Sequence, residues 1–154
     1  MNIHIRPARL ADAELIAACN AAIAAESEQL QLDPDRLLQG VRAVLQNPDR
    51  GFYTLAEVDG AVVGQVLVTL EWSDWRNGVF WWLQSVYVRP DVRRRGIFQS
   101  LYRHLLEQAQ SLGTVCGLRL YVDRQNRIAQ SVYERAGMRK TQYDLYEVDF
   151  ILKR

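Results

Sequence analysis

Residues 87–108 read YVRPDVRRRGIFQSLYRHLLEQ, and the change of pattern inside this stretch decides the fold. Tyr87 and Val88 close an apolar run, FWWLQSVYV (80–88), which has the length of a strand and is stopped at Pro90. From residue 97 the period becomes helical: Ile97, Leu101 and Leu105 recur every four residues beside Phe98, Leu106 and Leu112. Gly113 suits the end of a helix over 97–112. Between strand and helix stands Arg93-Arg94-Arg95-Gly96. A helix start presents free N–H groups and the positive end of its dipole, and a glycine there lets a ligand reach the backbone. The junction is therefore either a candidate anion site or a solvated basic turn. Three consecutive arginines fan out, so backbone amides are expected to make most contacts with a single ligand. There is no G-x-x-x-x-G-K-[ST] and no G-x-G-x-x-G after a first strand, which removes P-loop and dinucleotide-site readings.

Working outward, IHIR (3–6) alternates before Pro7 as a short first strand. Asp12 is placed to cap a helix whose stripe is Leu15, Cys19 and Ile23, widened by Ile16. Asp33-Pro34 opens a second helix with Leu37, Leu38, Val41, Val44 and Leu45 on one face, stopped at Asn47-Pro48. FYTLAEV (52–58) and AVVGQVLVTLEW (61–72) flank Asp59-Gly60 as a hairpin with a type I′ turn. Gly64 inside the second arm marks a bulge or a close backbone approach. SDWRNG (73–78) is a loop, VCGLRLYV (115–122) a buried strand, and residues 126–136 a helix ending at Gly137. The tail alternates again, with Tyr146, Val148, Phe150 and Leu152 on one side. Without repeat or linker, the expectation is a single domain over 1–154, of α+β class. Its mixed, mostly antiparallel sheet of six to seven strands is flanked by about four helices in three α/β/α layers.

With 154 residues, 49% hydrophobic and 24% charged, the chain can bury a core without disulfides and is not of disordered composition. Cys19 and Cys116 lack C-x-x-C spacing, and His4 and His104 alone make no metal site, so no metal is expected. The N-terminal segment has no apolar h-region and no run approaches a membrane span, so a cytoplasmic protein without membrane association is expected. A net charge of +1 argues against a general nucleic-acid binder. That average conceals polarity along the chain. Residues 1–88 carry six basic and eleven acidic residues, whereas residues 89–103 carry five arginines and one aspartate.

Arg93-Arg94-Arg95-Gly96-Ile97-Phe98, preceded by VYVRPDVR, resembles the R/Q-x-x-G-x-G/A signature of the GNAT-type N-acetyltransferase superfamily, with Phe98 at the usual small last position. Asn126-Arg127-Ile128-Ala129-Gln130-Ser131-Val132-Tyr133-Glu134-Arg135-Ala136-Gly137-Met138 is similar to its N-x-x-A-x-x-x-Y-x-x-x-G-F segment, and IRPARLADAELIAACNAAI is a typical opening. The resemblance covers essentially the whole chain. It implies a GNAT fold and an acyltransferase that uses acetyl-CoA as donor and no metal. The pyrophosphate would lie at Arg93, Arg94, Arg95, Gly96, Ile97, Phe98 and Gln99. The strand before that loop would splay from its neighbour, so that backbone groups around Ser85, Val86, Tyr87 and Val88 bind the pantetheine arm. The N–H of Val86 would polarise the thioester carbonyl. Tyr133, which alone reads as a packed helical tyrosine, would be the general acid and also touch the cofactor. Asn126 either bonds the pantetheine or caps its own helix.

The remaining roles stay open. The base is Glu71, Asp74 or ordered water, since Gln84 and Ser85 stand where an acid is usual. Trp72 or Trp75 lines an acceptor pocket or packs the sheet; Trp81 and Trp82 face opposite sides, so at most one enters the core. Glu26 and Glu28 are a second candidate wall, and Cys116 is a core residue, not a nucleophile. The leading expectation is direct acetyl transfer to a primary amine of a small molecule or peptide, by a monomer or a homodimer paired through 143–152. A catalytically weak CoA-binding sensor or interaction module of the same fold is the alternative, and a basic-patch nucleic-acid binder is disfavoured.

Overall fold

The computed structural model describes residues 1–152 as two compact units, Met1–Tyr121 and the chain from Val122 onward. In the first, β1 (His4–Pro7), β2 (Phe52–Val58), β3 (Ala61–Ser73), β4 (Gly78–Val88) and β5 (Val115–Arg119) form one sheet in that order. Neighbours are antiparallel except β4 and β5, which run parallel. The first two helices are α1 (Ala13–Glu28) and α2 (Pro34–Gln46); α3 (Ile97–Leu112) is the crossover that a parallel β4–β5 pair requires.

The sheet faces separate the helices. Tyr53 and Leu55, opposite Leu67 and Gln65, point into a core shared with Ala13, Ile16 and Val41 of α1 and α2. Gly64 points the other way: a Cβ there would lie 2.8 Å from Ile97 Cγ2 and 3.4 Å from Leu101 Cδ1, both on α3. Gly64 is therefore a close approach, and the adjacent register shift at Ala56/Glu57 makes it a bulge neighbour as well. Asp59 and Gly60 have φ of 50° and 76°, the left-handed pair that a type I′ turn demands. Asp33 caps α2 by accepting the Arg36 N–H at 2.9 Å, with Pro34 first in the helix.

Four expectations change. The sheet has five strands, not six or seven, because the described tail forms no ladder and Tyr146, Val148 and Phe150 lie exposed. β5 stops at Arg119 and is only half-buried. On α1 the buried stripe is Ala13, Ile16 and Ala24, leaving Leu15 exposed, and on α3 Leu112 is exposed while Tyr102 and Ala109 are buried. Finally, Asp12 precedes α1 without capping it through its side chain. Its carboxylate instead accepts both terminal nitrogens of Arg6, each at 2.9 Å, and the Arg9 N–H at 2.7 Å.

Arg6 also donates from Nε to Glu57 at 2.7 Å, so one guanidinium joins β1, β2 and the entry to α1. The Arg6 guanidinium holds the Asp12 carboxyl below the ordinary carboxylate range. A depressed folded pKa stabilises above the unfolded value, and the effect disappears as pH falls through the lower folded value. Asp12→Asn is therefore expected to cost about 1–2 kcal/mol at neutral pH, with the deficit shrinking in acid. Urea unfolding of both proteins at neutral and acid pH checks this; an equal deficit at both would remove the ionic contribution.

Candidate active site

β4 changes character halfway along. Val79–Trp82 pair with β5 on one side, and the ladder stops at Trp82 and Arg119. Among the described residues, the β5-side edge of β4 has no strand partner from Leu83 to Val88. On the β3 side the register runs from Gln84 opposite Leu67 to Tyr87 opposite Gln65, so Ser85 and Val86 together face Val66. This is a two-against-one bulge, and Ser85 takes the left-handed φ of 48°. A bulge turns a peptide unit out of the ladder, and here it does so beside an open strand edge.

β4 then runs into the arginine turn. Arg94 has φ of 65° and Gly96 of 83°, so the backbone twice adopts a left-handed conformation before α3 begins. The first helical bond is Ser100 N–H to Gly96 C=O at 3.0 Å, leaving the N–H groups of Gly96, Ile97 and Gln99 outside the intrahelical ladder. Around Gly96 there is space: a Cβ would meet only Gln99 Oε1, at 3.9 Å. Amide donors, dipole and open approach coincide, which is what a diphosphate needs.

The arginines do fan out. Arg93 donates to the Val88 carbonyl at 2.8 Å and to Glu26 at the end of α1 at 2.7 Å. Arg95 lines a cleft of about 450 Å³ with Arg89, Val92 and Ala61, and Arg94 is exposed. Arg89 is engaged by Asp91, whose carboxyl it holds below the ordinary range. The Phe98 ring stacks on Tyr102 one turn along α3, 5.9 Å between centroids. Glu26, read above as an acceptor wall, thus serves to tie α1 to the loop.

The sheet face that carries Glu71 holds a separate group of side chains. Glu71 stands opposite Phe80 and accepts from Arg119 at 2.8 Å, and the Arg119 guanidinium lies 3.6 Å over the Phe80 ring. Trp82 meets Tyr121 at 6.0 Å, and Gln84 bonds Thr69. Arg119 was not singled out by sequence; its place opposite Trp82 on a parallel strand supplies the reason for its pairing. From Val66, which faces the bulge, to Glu71 is five residues of strand, about 16 Å. Glu71 and the Val86 N–H are thus not brought together. Asp74 and Trp75 belong to the exposed β3–β4 connection, Trp72 is exposed near the end of β3 opposite Val79, and of the adjacent tryptophans only Trp81 is buried, edge-on to Phe52. Cys116 is half-buried.

In the second unit, α4 (Arg127–Arg135) is capped by Asn126, whose side chain accepts the Ala129 N–H at 3.1 Å. The capping alternative for Asn126 is therefore realised. Tyr133 lies on α4 half-buried, and burial pushes its phenol above the ordinary tyrosine value. Among the described residues no helix is long and apolar enough to cross a membrane, and no group of three His, Cys, Asp or Glu side chains is placed to hold a metal ion.

The fold is shared with known structures. A possible acetyltransferase from Clostridium difficile 630 is 41% identical and superposes with a TM-score of 0.90 over 99% of this chain and 100% of its own. The ribosomal-protein-alanine N-acetyltransferase of Brucella melitensis biovar Abortus 2308 is 21% identical, with a TM-score of 0.76 over 97% of this chain and 100% of its own. A predicted acetyltransferase from Clostridium acetobutylicum, solved with acetyl-CoA, is 16% identical at a TM-score of 0.77 over 96% of each chain. Residues 16–138, which hold the free strand edge, the arginine turn and the Tyr133 helix, match the acetyltransferase (GNAT) family, and the chain belongs to that family of acyltransferases.

Proposed function

We propose that this protein transfers an acetyl group directly from acetyl-CoA to a primary amine of a small molecule or peptide, within a single catalytic domain. One observation carries the reading: a bulged, one-sided stretch of β4 leads through one short connection, the arginine turn, into an amide-lined helix start. Six residues of free edge span about 20 Å at strand rise, the scale of an extended arm added as a pseudo-strand.

In this reading the N–H groups at Gly96, Ile97 and Gln99, with the neighbouring arginines, hold the pyrophosphate, and the edge of Val86 to Val88 holds the pantetheine. Acetyl-CoA supplies an activated acyl thioester. The Val86 N–H donates to the thioester carbonyl oxygen and stabilises the negative charge that grows there as the amine attacks. Tyr133 keeps its proton at neutral pH, since burial raises its pKa, and gives it to the departing sulfur. Ordered water takes the proton lost by the attacking amine, because Glu71 is engaged by Arg119 and lies about 16 Å of strand from the bulge. Thiol release measured over a panel of amines tests the whole reading; failure of the folded protein to bind CoA in calorimetry overturns it.

Two substitutions probe its parts. Gly96→Val places a β-branched residue at a φ of 83° and a side chain in the open approach. It is expected to raise the KM for acetyl-CoA at least about tenfold while the amine KM changes little. Tyr133→Phe is expected to lower kcat about a hundredfold, with CoA affinity retained. Because the protonated phenol is the active form, wild-type kcat falls as pH rises through the elevated Tyr133 pKa, and the variant lacks that alkaline limb. Equal kcat in the two proteins counts against Tyr133 as the acid.

A further inference from the structure

A buried polar network beneath the bulge has no part in the chemistry above. Gln65 is wholly excluded from solvent, in an otherwise apolar stretch of β3, AVVGQVLV. Its Nε2 donates to Asn20 Oδ1 at 2.7 Å and to the Ser85 carbonyl at 3.2 Å. Asn20 Nδ2 donates in turn to the Tyr53 hydroxyl at 3.2 Å. Gln65 Oε1 has no hydrogen-bond partner among the described residues. A buried carboxamide with one unmet acceptor is a poor way to stabilise a core, which a leucine or methionine fills at lower cost. Its position accounts for it better than its contribution to stability does.

The Ser85 carbonyl and the Val86 N–H belong to one peptide unit. That unit is planar and trans, so its C=O and N–H point in opposite directions. Holding the carbonyl inward on Gln65 therefore holds the Val86 N–H outward. Ser85 needs such a hold, because its φ of 48° is unfavourable for a residue with a Cβ and the strand gains by reverting to regular pairing.

We propose that Gln65, braced by Asn20 and Tyr53, is a positioning residue that sets the Ser85–Val86 peptide plane and thereby aims the Val86 N–H at the thioester carbonyl. The proposal rests on Val86 being that donor. Gln65→Leu is expected to lower kcat at least about tenfold, since loss of one oxyanion donor reduces kcat by about 10²–10³. The KM for acetyl-CoA and the CoA affinity should stay within about twofold, while the unfolding temperature is expected to be lower, because Asn20 Oδ1 and the Ser85 carbonyl lose their donor. A residue that only fills the core lowers the unfolding temperature with kcat retained, and that result overturns the proposal.

Gln65→Glu gives an independent readout. Its ionised carboxylate has no proton for the Ser85 carbonyl, whereas the protonated acid has one. Burial raises such an acid's pKa towards neutrality. The ratio of variant to wild-type kcat is therefore expected to rise as pH is lowered, and a ratio independent of pH counts against the proposal. Replacing the Val86 N–H by an ester oxygen, through α-hydroxy acid incorporation, separates the two layers. Loss of turnover in the ester with full turnover in Gln65→Leu discards Gln65 alone. Full turnover in the ester discards the Val86 donor, and the proposal with it.

Discussion

Everything in the candidate site depends on one constraint placed on β4. The strand must be a central member of the sheet, with Phe80, Trp81 and Leu83 buried, and must also leave an edge open from Leu83 to Val88. A regular strand between two full-length neighbours cannot do both, because its N–H and C=O groups would all be consumed by ladders. Two features reconcile the demands. β5 ends at Arg119, opposite Trp82, and the bulge at Ser85–Val86 turns one peptide unit away from β3. The apolar side chains still alternate into the two cores, so packing and edge chemistry use orthogonal directions of the same backbone.

The electrostatics follow from where that strand ends. Five arginines against one aspartate in residues 89–103 give a compact positive region in a nearly neutral chain. Much of that charge is engaged within the protein: Arg89 by Asp91, and Arg93 by Glu26 and the Val88 carbonyl. These ion pairs are exposed and contribute little stability individually. Arg93 does shape the loop, for it ties the last residue of β4 and the end of α1 to the turn. In the proposed reading, recognition of a diphosphate falls chiefly to backbone amides whose directions are set by the left-handed Arg94 and Gly96.

These features were unequally legible in the sequence. Gly96, Gly64, Asp59-Gly60 and Asp33-Pro34 announce themselves because each residue type answers a local backbone demand. Asp12 misleads because the same carboxylate that can cap a helix can also receive a distant arginine, and Arg6 offers two charged donors. The α1 stripe is displaced because the inward face includes the half-buried Asn20, which a hydrophobic period skips; its partner Gln65, 45 positions away, explains a polar residue there. The alternating tail shows that period two is necessary for a strand and not sufficient. Tyr146, Val148 and Phe150 have the pattern without a ladder, and Arg124 of the same unit pairs with Asp144 instead. Glu71 was legible as an acid but not as the partner of Arg119, since parallel pairing across a helical crossover cannot be read from local spacing.

In the proposed reaction the proton balance requires no carboxylate beside the thioester. Attack by a neutral amine on a thioester releases one proton from nitrogen and supplies one to sulfur, so no net proton is required from the protein. In the proposed reaction a buried tyrosine with a raised pKa stays protonated at neutral pH and donates as negative charge develops on the departing sulfur. A fixed carboxylate near the same carbonyl would oppose the negative charge that the proposed Val86 N–H donor stabilises. Keeping Glu71 engaged with Arg119 near the β3–β4 connection, while Gln84 and Ser85 occupy the nearer strand positions, holds full negative charge away from the bulge. The neutral side chains of Gln84 and Ser85, which first look like missing bases, are on this argument what an oxyanion stabilised by a single backbone amide requires of its neighbours.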